Sequence, residues 1–182
     1  RHRGKRTHVT YQYSPRPVKA PLIGMLQEIE SMARHSEVKV LECRKLAPPA
    51  GIRESLGLGD KDKALHLVRV RSRDGQPFGY YVSWTTGLRK PVGKRDFQKL
   101  PRLAIFRKQG LKISHVTQTI SAVAATTELA QHLDAEHGEP LISLTRQSYE
   151  THKGEEQLVD YLQVYYHPER FQYRMDLELD QT

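Results

Sequence analysis

The stretch LHLVRVRSRDGQPFGYYVSW, residues 65–84, limits what this chain can fold into more than any other part of it. Two runs rich in Val, Tyr and Trp flank an Asp74-Gly75 pair, the pattern of two antiparallel strands joined by a tight turn. Strand side chains alternate, so Leu65, Leu67, Arg69, Arg71 and Arg73 share one face, while His66, Val68, Val70 and Ser72 share the other. A two-residue Asp74-Gly75 loop pairs Arg71 with Phe78 and Arg69 with Tyr80. A three-residue loop, Arg73-Asp74-Gly75 with Gly75 left-handed, pairs Arg69 with Gly79 and Val68 with Tyr80. This second register collects Val68, Val70, Phe78, Tyr80, Val82 and Trp84 on one apolar face. It leaves Arg69, Arg71, Tyr81 and Ser83 with Leu65 and Leu67 on the other. A slip of one residue flips every side chain, so the register that sorts like with like is the one expected.

A second mixed face lies near the end of the chain, where Leu158, Asp160, Leu162, Val164 and Tyr166 line one side of a strand. A lone buried charge costs several kcal/mol, so Asp160 needs a donor and the arginines need acceptors. Three arrangements meet that demand: an internal Arg–Asp salt bridge, a solvated sheet face, or a pocket whose surplus of guanidinium is completed by an anionic ligand.

The remaining pattern alternates strands with helices. Helical spacing of Leu22, Met25, Leu26, Ile29 and Met32 predicts a helix over 21–35, after a proline-containing linker at 10–20. Residues 37–48 read as a strand with Val38, Val40 and Glu42 on one side, and residues 50–59 as a short helix stopped by Gly57 and Gly59. Residues 87–100 read as irregular and basic, 101–110 as a helix ended by Gly110, and 112–125 as a long strand. A helix capped by Thr126 or Thr127 runs to Gly138. Strands follow at 140–152, 156–168 and 171–180, the first two joined at Lys153-Gly154. The expected fold is α+β, a mostly antiparallel sheet with helices packed mainly on one face.

Composition narrows the function classes. The chain has 182 residues, enough for one domain with a real core. It contains no apolar run long enough to span a bilayer, and its first residues, RHRGKRTHV, lack the apolar stretch of a signal peptide. A single cysteine, Cys43, rules out an internal disulfide and points to a reducing cytoplasm. Six basic residues and no acid lie in positions 1–27, eight basic residues face only Asp96 over 88–108, and from 109 onward five basic residues face 12 acids. The body is therefore near neutral and the arm is basic, a distribution suited to phosphate backbones or to a solvated terminus. Nucleophile elbows, Gly-rich phosphate loops and His-Glu-x-x-His pairs are missing from the sequence, and His132 and His137 do not share a helix face. No catalytic residue, cofactor or metal is expected.

Taken together, GIRESLGLGDKDKALHLVRVRSRDGQPFGYYVSW, TQTISAVAATTELAQHL, PLISLTRQSYE and LVDYLQVYYHPERFQYRM resemble the effector-binding (UTRA) domain of GntR-type bacterial transcription regulators of the HutC subfamily. The likeness covers about residues 20–180. The start, GKRTHV, is similar to the end of the family's winged helix, with Arg6 in place of a glycine. This resemblance implies a chorismate-lyase-like fold and a cytoplasmic homodimer. It divides the chain into a winged-helix remnant at 1–9, a linker at 10–20 and an effector-binding and dimerisation domain at 21–180. A small anionic metabolite, phosphorylated or carboxylated, is the implied ligand. Its implied contacts are Arg69, Arg71, Tyr81, Ser83, Asp160 and Tyr166, with backbone N–H groups at Leu22, Ile23 and Gly24. Where members of the family carry a glutamate, this chain has Tyr81. Operator DNA would be read by the winged helix preceding residue 1, with Arg1, Arg3, Lys5 and Arg6 as wing contacts. The alternative function is a chorismate-lyase-like enzyme acting on a small carboxylate. Without a recognition helix, the chain should bind DNA weakly and lose that binding as salt rises. A gel shift giving a tight, sequence-specific complex at physiological salt contradicts this reading.

Overall fold

The computed structural model describes residues 36–152 and 154–172. Six strands, β1 (Glu37–Leu46), β2 (Ala64–Arg73), β3 (Gln76–Thr85), β4 (Ile113–Ala124), β5 (Pro140–His152) and β6 (Glu155–Tyr166), form one sheet. Every neighbouring pair is antiparallel and the order is β1-β2-β3-β6-β5-β4. Four helices interrupt the strands: α1 (Ala50–Ser55), α2 (Lys94–Lys99), α3 (Arg102–Gln109) and α4 (Thr127–Leu133). The antiparallel α+β architecture expected from the pattern is the one found.

The β2–β3 turn differs from expectation. Arg73 pairs with Gln76, so the loop has two residues, Asp74 at φ 51 and Gly75 at φ 75, both left-handed as a type I′ hairpin requires. The register then shifts. Ser72 faces Pro77 while Arg71 faces Gly79, which leaves Phe78 as the extra residue of a bulge. That one-residue shift moves Arg69 opposite Tyr81 and Val68 opposite Val82. The faces therefore sort as expected, although the pairs do not, and one assignment reverses. Phe78 leaves the valine face and packs with Tyr81, Leu162, Val164 and Tyr166.

β1 carries a comparable irregularity. Val40 opposes Arg69 and Glu42 opposes Val68, so a bulge lies between them, and Glu42 does not share a face with Val40. Val40 packs with Leu65 and Leu67 on the arginine side of the sheet, under Phe97 of α2 and Ile105 of α3. The opposite side, with Val68, Val70 and Tyr80, lies under Leu129, Ala130 and Leu133 of α4. Leu56, following α1, packs with Trp84 and Leu158. Leu158 therefore does not share a face with Asp160 as expected, because the β5–β6 register shifts between Ser148 and Tyr149.

Two further expectations are corrected. Residues 87–100 are not wholly irregular: the Asp96 carboxylate accepts from the Gly93 N–H at 2.8 Å, opening α2 and driving Phe97 into the core. The helix begun at Thr126, whose hydroxyl accepts from the Leu129 N–H at 3.3 Å, ends at Leu133 and not at Gly138. Asp134 takes the left-handed conformation there, and Gly138 donates instead to the Ala125 carbonyl. The helix expected over 21–35 and nearly all of the strand expected over 171–180 lie outside the described residues. Among the described residues, no helix is long and apolar enough to cross a membrane.

Two glycines separate conformational need from mere tolerance. Gly75→Ala, at φ 75, should lower the unfolding free energy by about 1 kcal/mol. Gly51→Ala, in α1 with open space around a new methyl, should raise it by roughly 0.5 kcal/mol. Urea unfolding of both variants checks the pair.

Candidate functional site

The arginine face of the sheet is buried at its centre. Arg69 opposes Tyr81, which opposes Val164, and Arg71 opposes Gly79, which opposes Tyr166. Ser83 lies opposite Leu67 and Leu162, Leu162 opposes Arg146 of β5, and Asp160 opposes Thr85. Arg102 comes in from the first turn of α3. Four guanidiniums and one carboxylate thus occupy a patch from which water is excluded; Arg69 retains 3% of its exposure and Asp160 none.

Asp160 is not the partner of Arg69 or Arg71. Its oxygens accept from Arg102 Nη1 at 2.5 and 2.6 Å, and Oδ1 also accepts from the Thr85 hydroxyl at 2.7 Å. Arg71 donates to the Ser36 hydroxyl at 2.7 Å, and Arg146 donates through Nε and Nη2 to Gln118 Oε1 at 3.1 and 2.5 Å. These two acceptors are neutral, so they satisfy geometry without supplying charge. Arg69 rests against the Tyr81 ring at 5.4 Å, a cation–π contact, and its buried Nε has no hydrogen-bond partner among the described residues. The buried Ser83 hydroxyl is likewise without one.

The electrostatics follow. Burial, with Arg102 and Arg71 close by, pushes the Arg69 guanidinium down to about 9. Burial lowers Arg71 and Arg146 as well. Arg69 is still charged at neutral pH, so the fold carries this desolvation cost in full until the pH climbs past about 9. Burial raises the Tyr81 and Tyr166 phenols, so both remain protonated and able to donate. Their hydroxyls lie 3.5 Å apart, with Tyr81 donating, and their rings meet edge to face at 5.7 Å. Tyr166 stacks in turn on Phe171 at 3.7 Å. Gly79 makes room for this arrangement: a Cβ there would sit 2.8 Å from the Tyr81 ring and 3.2 Å from Tyr166. A patch of this kind, rich in fixed donors and positive charge, can hold a compact anion bidentately.

Of the residues expected at the site, Arg69, Arg71, Tyr81, Ser83, Asp160 and Tyr166 do converge on one face. Leu22, Ile23 and Gly24, like Arg1, Arg3, Lys5 and Arg6, lie outside the described residues. Arg102, Arg146 and Thr85 were not anticipated. Arg146 had a visible signal, since Leu144, Arg146 and Ser148 repeat the apolar-to-polar alternation of Leu67, Arg69 and Arg71. Arg102 had none, because nothing local marks which turn of a short helix will meet a strand 58 residues away.

The sheet order and the buried arginine row can be compared with known proteins. A model of the UTRA domain matches residues 31–172. The chain belongs to the UTRA family. The ligand-binding domain of a GntR-family transcriptional regulator from Bordetella bronchiseptica is 25% identical, with a TM-score of 0.70, over 79% of this chain and 91% of that one. A GntR-family transcriptional regulator from Enterococcus faecalis is 26% identical, with a TM-score of 0.68, over 78% of this chain and 100% of that one. The C-terminal domain of the histidine utilization repressor from Pseudomonas syringae shares the fold at 14% identity, with a TM-score of 0.66, over 79% and 99% of the two chains. Comparison with curated proteins returned no match. The α+β fold of this UTRA domain is thus that of GntR-family effector domains, and the two similar chains at 25 and 26% identity are GntR-family transcription regulators.

Arg69→Met removes a desolvated charge while keeping most of the side-chain volume. It should raise the unfolding free energy of the ligand-free UTRA domain by roughly 1 to 2 kcal/mol, read by urea unfolding at pH 7.

Proposed function

We propose that this UTRA domain is the effector-sensing and dimerising part of a cytoplasmic bacterial transcription regulator of the HutC subfamily. It works as a switch and not as an enzyme. The reading is carried by one observation: Arg69 is buried, charged at neutral pH and leaves its Nε unbonded among the described residues. A group in that state favours any guest that brings negative charge and acceptor oxygens. The guest would be a small phosphorylated or carboxylated metabolite, held by Arg69 and Arg71, with Tyr81, Ser83 and Tyr166 as hydroxyl donors. Asp160, engaged through both oxygens, would set the position of Arg102 and not touch the ligand. Backbone groups at Leu22, Ile23 and Gly24 would close over the anion, joining the site to the linker at 10–20 and the wing remnant at 1–9.

Effector binding would favour one arrangement of that linker over another and so change how the paired winged helices, with Arg1, Arg3, Lys5 and Arg6 at the wing, meet operator DNA. Couplings of this kind amount to about 1 to 3 kcal/mol, roughly a 5- to 150-fold change in operator affinity. The naming of similar chains as GntR-family regulators supports the reading. Thermal-shift titration with inorganic phosphate, glucose 6-phosphate and succinate should raise the melting temperature of the wild-type domain for at least one anion. Arg69→Met should lose that response. An unaltered response in the variant sinks the assignment.

A further inference from the structure

On the side of the sheet away from the arginines, an open groove of about 660 Å3 runs between the sheet and α4. Its size is that of small-molecule sites in general, which span roughly 300 to 1,000 Å3. Its chemistry is opposite to that of the arginine face. Glu42 comes from β1 and Glu128 from the first turn of α4, and between them lie His66, Tyr80, His132 and Tyr165. Glu128 Oε1 accepts from the Tyr80 hydroxyl at 2.8 Å, while Oε2 has no partner among the described residues. Glu42 accepts from Arg44 at 2.9 and 3.1 Å and lies 2.6 Å from His66 Nδ1.

Aromatic faces complete the groove. The His132 ring stacks on Tyr80 at 5.0 Å and 15°, and Tyr165 tilts against Tyr80 at 6.5 Å. The local field is negative: burial raises the Tyr80 phenol first, and Glu128 and Glu42 raise it further. Among the described residues no lysine or arginine lines the groove, although the chain carries a formal charge of +8. Among the described residues no group of three His, Cys, Asp or Glu could hold a metal ion.

We propose that this groove is a second ligand site, taking a small organic cation with an ammonium head and an apolar body. The head would meet the open Glu128 oxygen and the aromatic faces of Tyr80 and Tyr165, an attraction that grows where water is displaced. The body would lie along Val68 and Val82 on the groove floor. The two sites stand back to back across a single sheet. Val68 and Arg69 are successive in β2, as are Tyr80 and Tyr81 in β3, yet neither site uses the other's side chains.

The test is calorimetric titration of the whole chain with phenethylammonium, and with 2-phenylethanol as its neutral counterpart. The expected result is saturable binding of the ammonium and at least tenfold weaker binding of the alcohol. Glu128→Gln, at an exposed position whose amide can still accept from Tyr80, should weaken ammonium binding by about tenfold, and Tyr165→Leu by about threefold. Arg69→Met should leave it unchanged, so failure of the anion site and failure of this one are separately visible. Four outcomes overturn the proposal: no heat up to about 10 mM ammonium, equal affinity for the alcohol, indifference to Glu128→Gln, or loss of binding in Arg69→Met. Equal affinity for the alcohol would make the groove a merely apolar docking surface.

Discussion

Burial of guanidinium beside a single carboxylate is the constraint on which the rest of this structure depends. Asp160 lies on the central strand β6 with no exposure, and such a charge persists only because Arg102 and Thr85 saturate it. That cluster ties α3 to β3 and β6, and with α2 it roofs one end of the sheet through Phe97 and Ile105. Arg69 and Arg146 receive no such carboxylate partner among the described residues. Arg146 makes do with an amide oxygen, and Arg69 with an aromatic face. The molecule therefore holds part of its positive charge inward at a cost in stability.

The sheet is one layer with two chemically opposed faces, and the bulges keep them separate. Without the extra residue at Phe78, Tyr81 and Ser83 would turn away from Arg69. Without the irregularity between Val40 and Glu42, a carboxylate would enter the arginine side. Each bulge changes the parity of one strand, and parity is what assigns every later side chain to a face. The fold is shared with GntR-family regulators, and scaffold alone does not specify function.

Much of this was legible in the residues. Alternation in 64–73 and 160–166 identified which side chains share a face, although a register shift moves Leu158 to the other one, Asp-Gly marked the hairpin, and Gly110 and Thr126 marked helix ends correctly. These signals are local, resting on backbone preferences and a period of two. The helix at Lys94–Lys99 was missed because its charged sequence hides a single buried aromatic, Phe97, whose role depends on a core assembled elsewhere. The early end of α4 at Asp134 was missed for a different reason: a non-glycine residue takes the left-handed cap.

By itself the sequence determined an antiparallel α+β domain, the composition of its faces and the unusual presence of arginine among core leucines. The partners of those arginines were decided only by tertiary structure. Asp160 is claimed by a residue 58 positions away on a short helix, and Arg146 joins the patch by crossing from β5. Charge pairing in an interior is settled by which groups arrive within about 3 Å of one another. Side-chain pattern along one strand carries no information about that meeting.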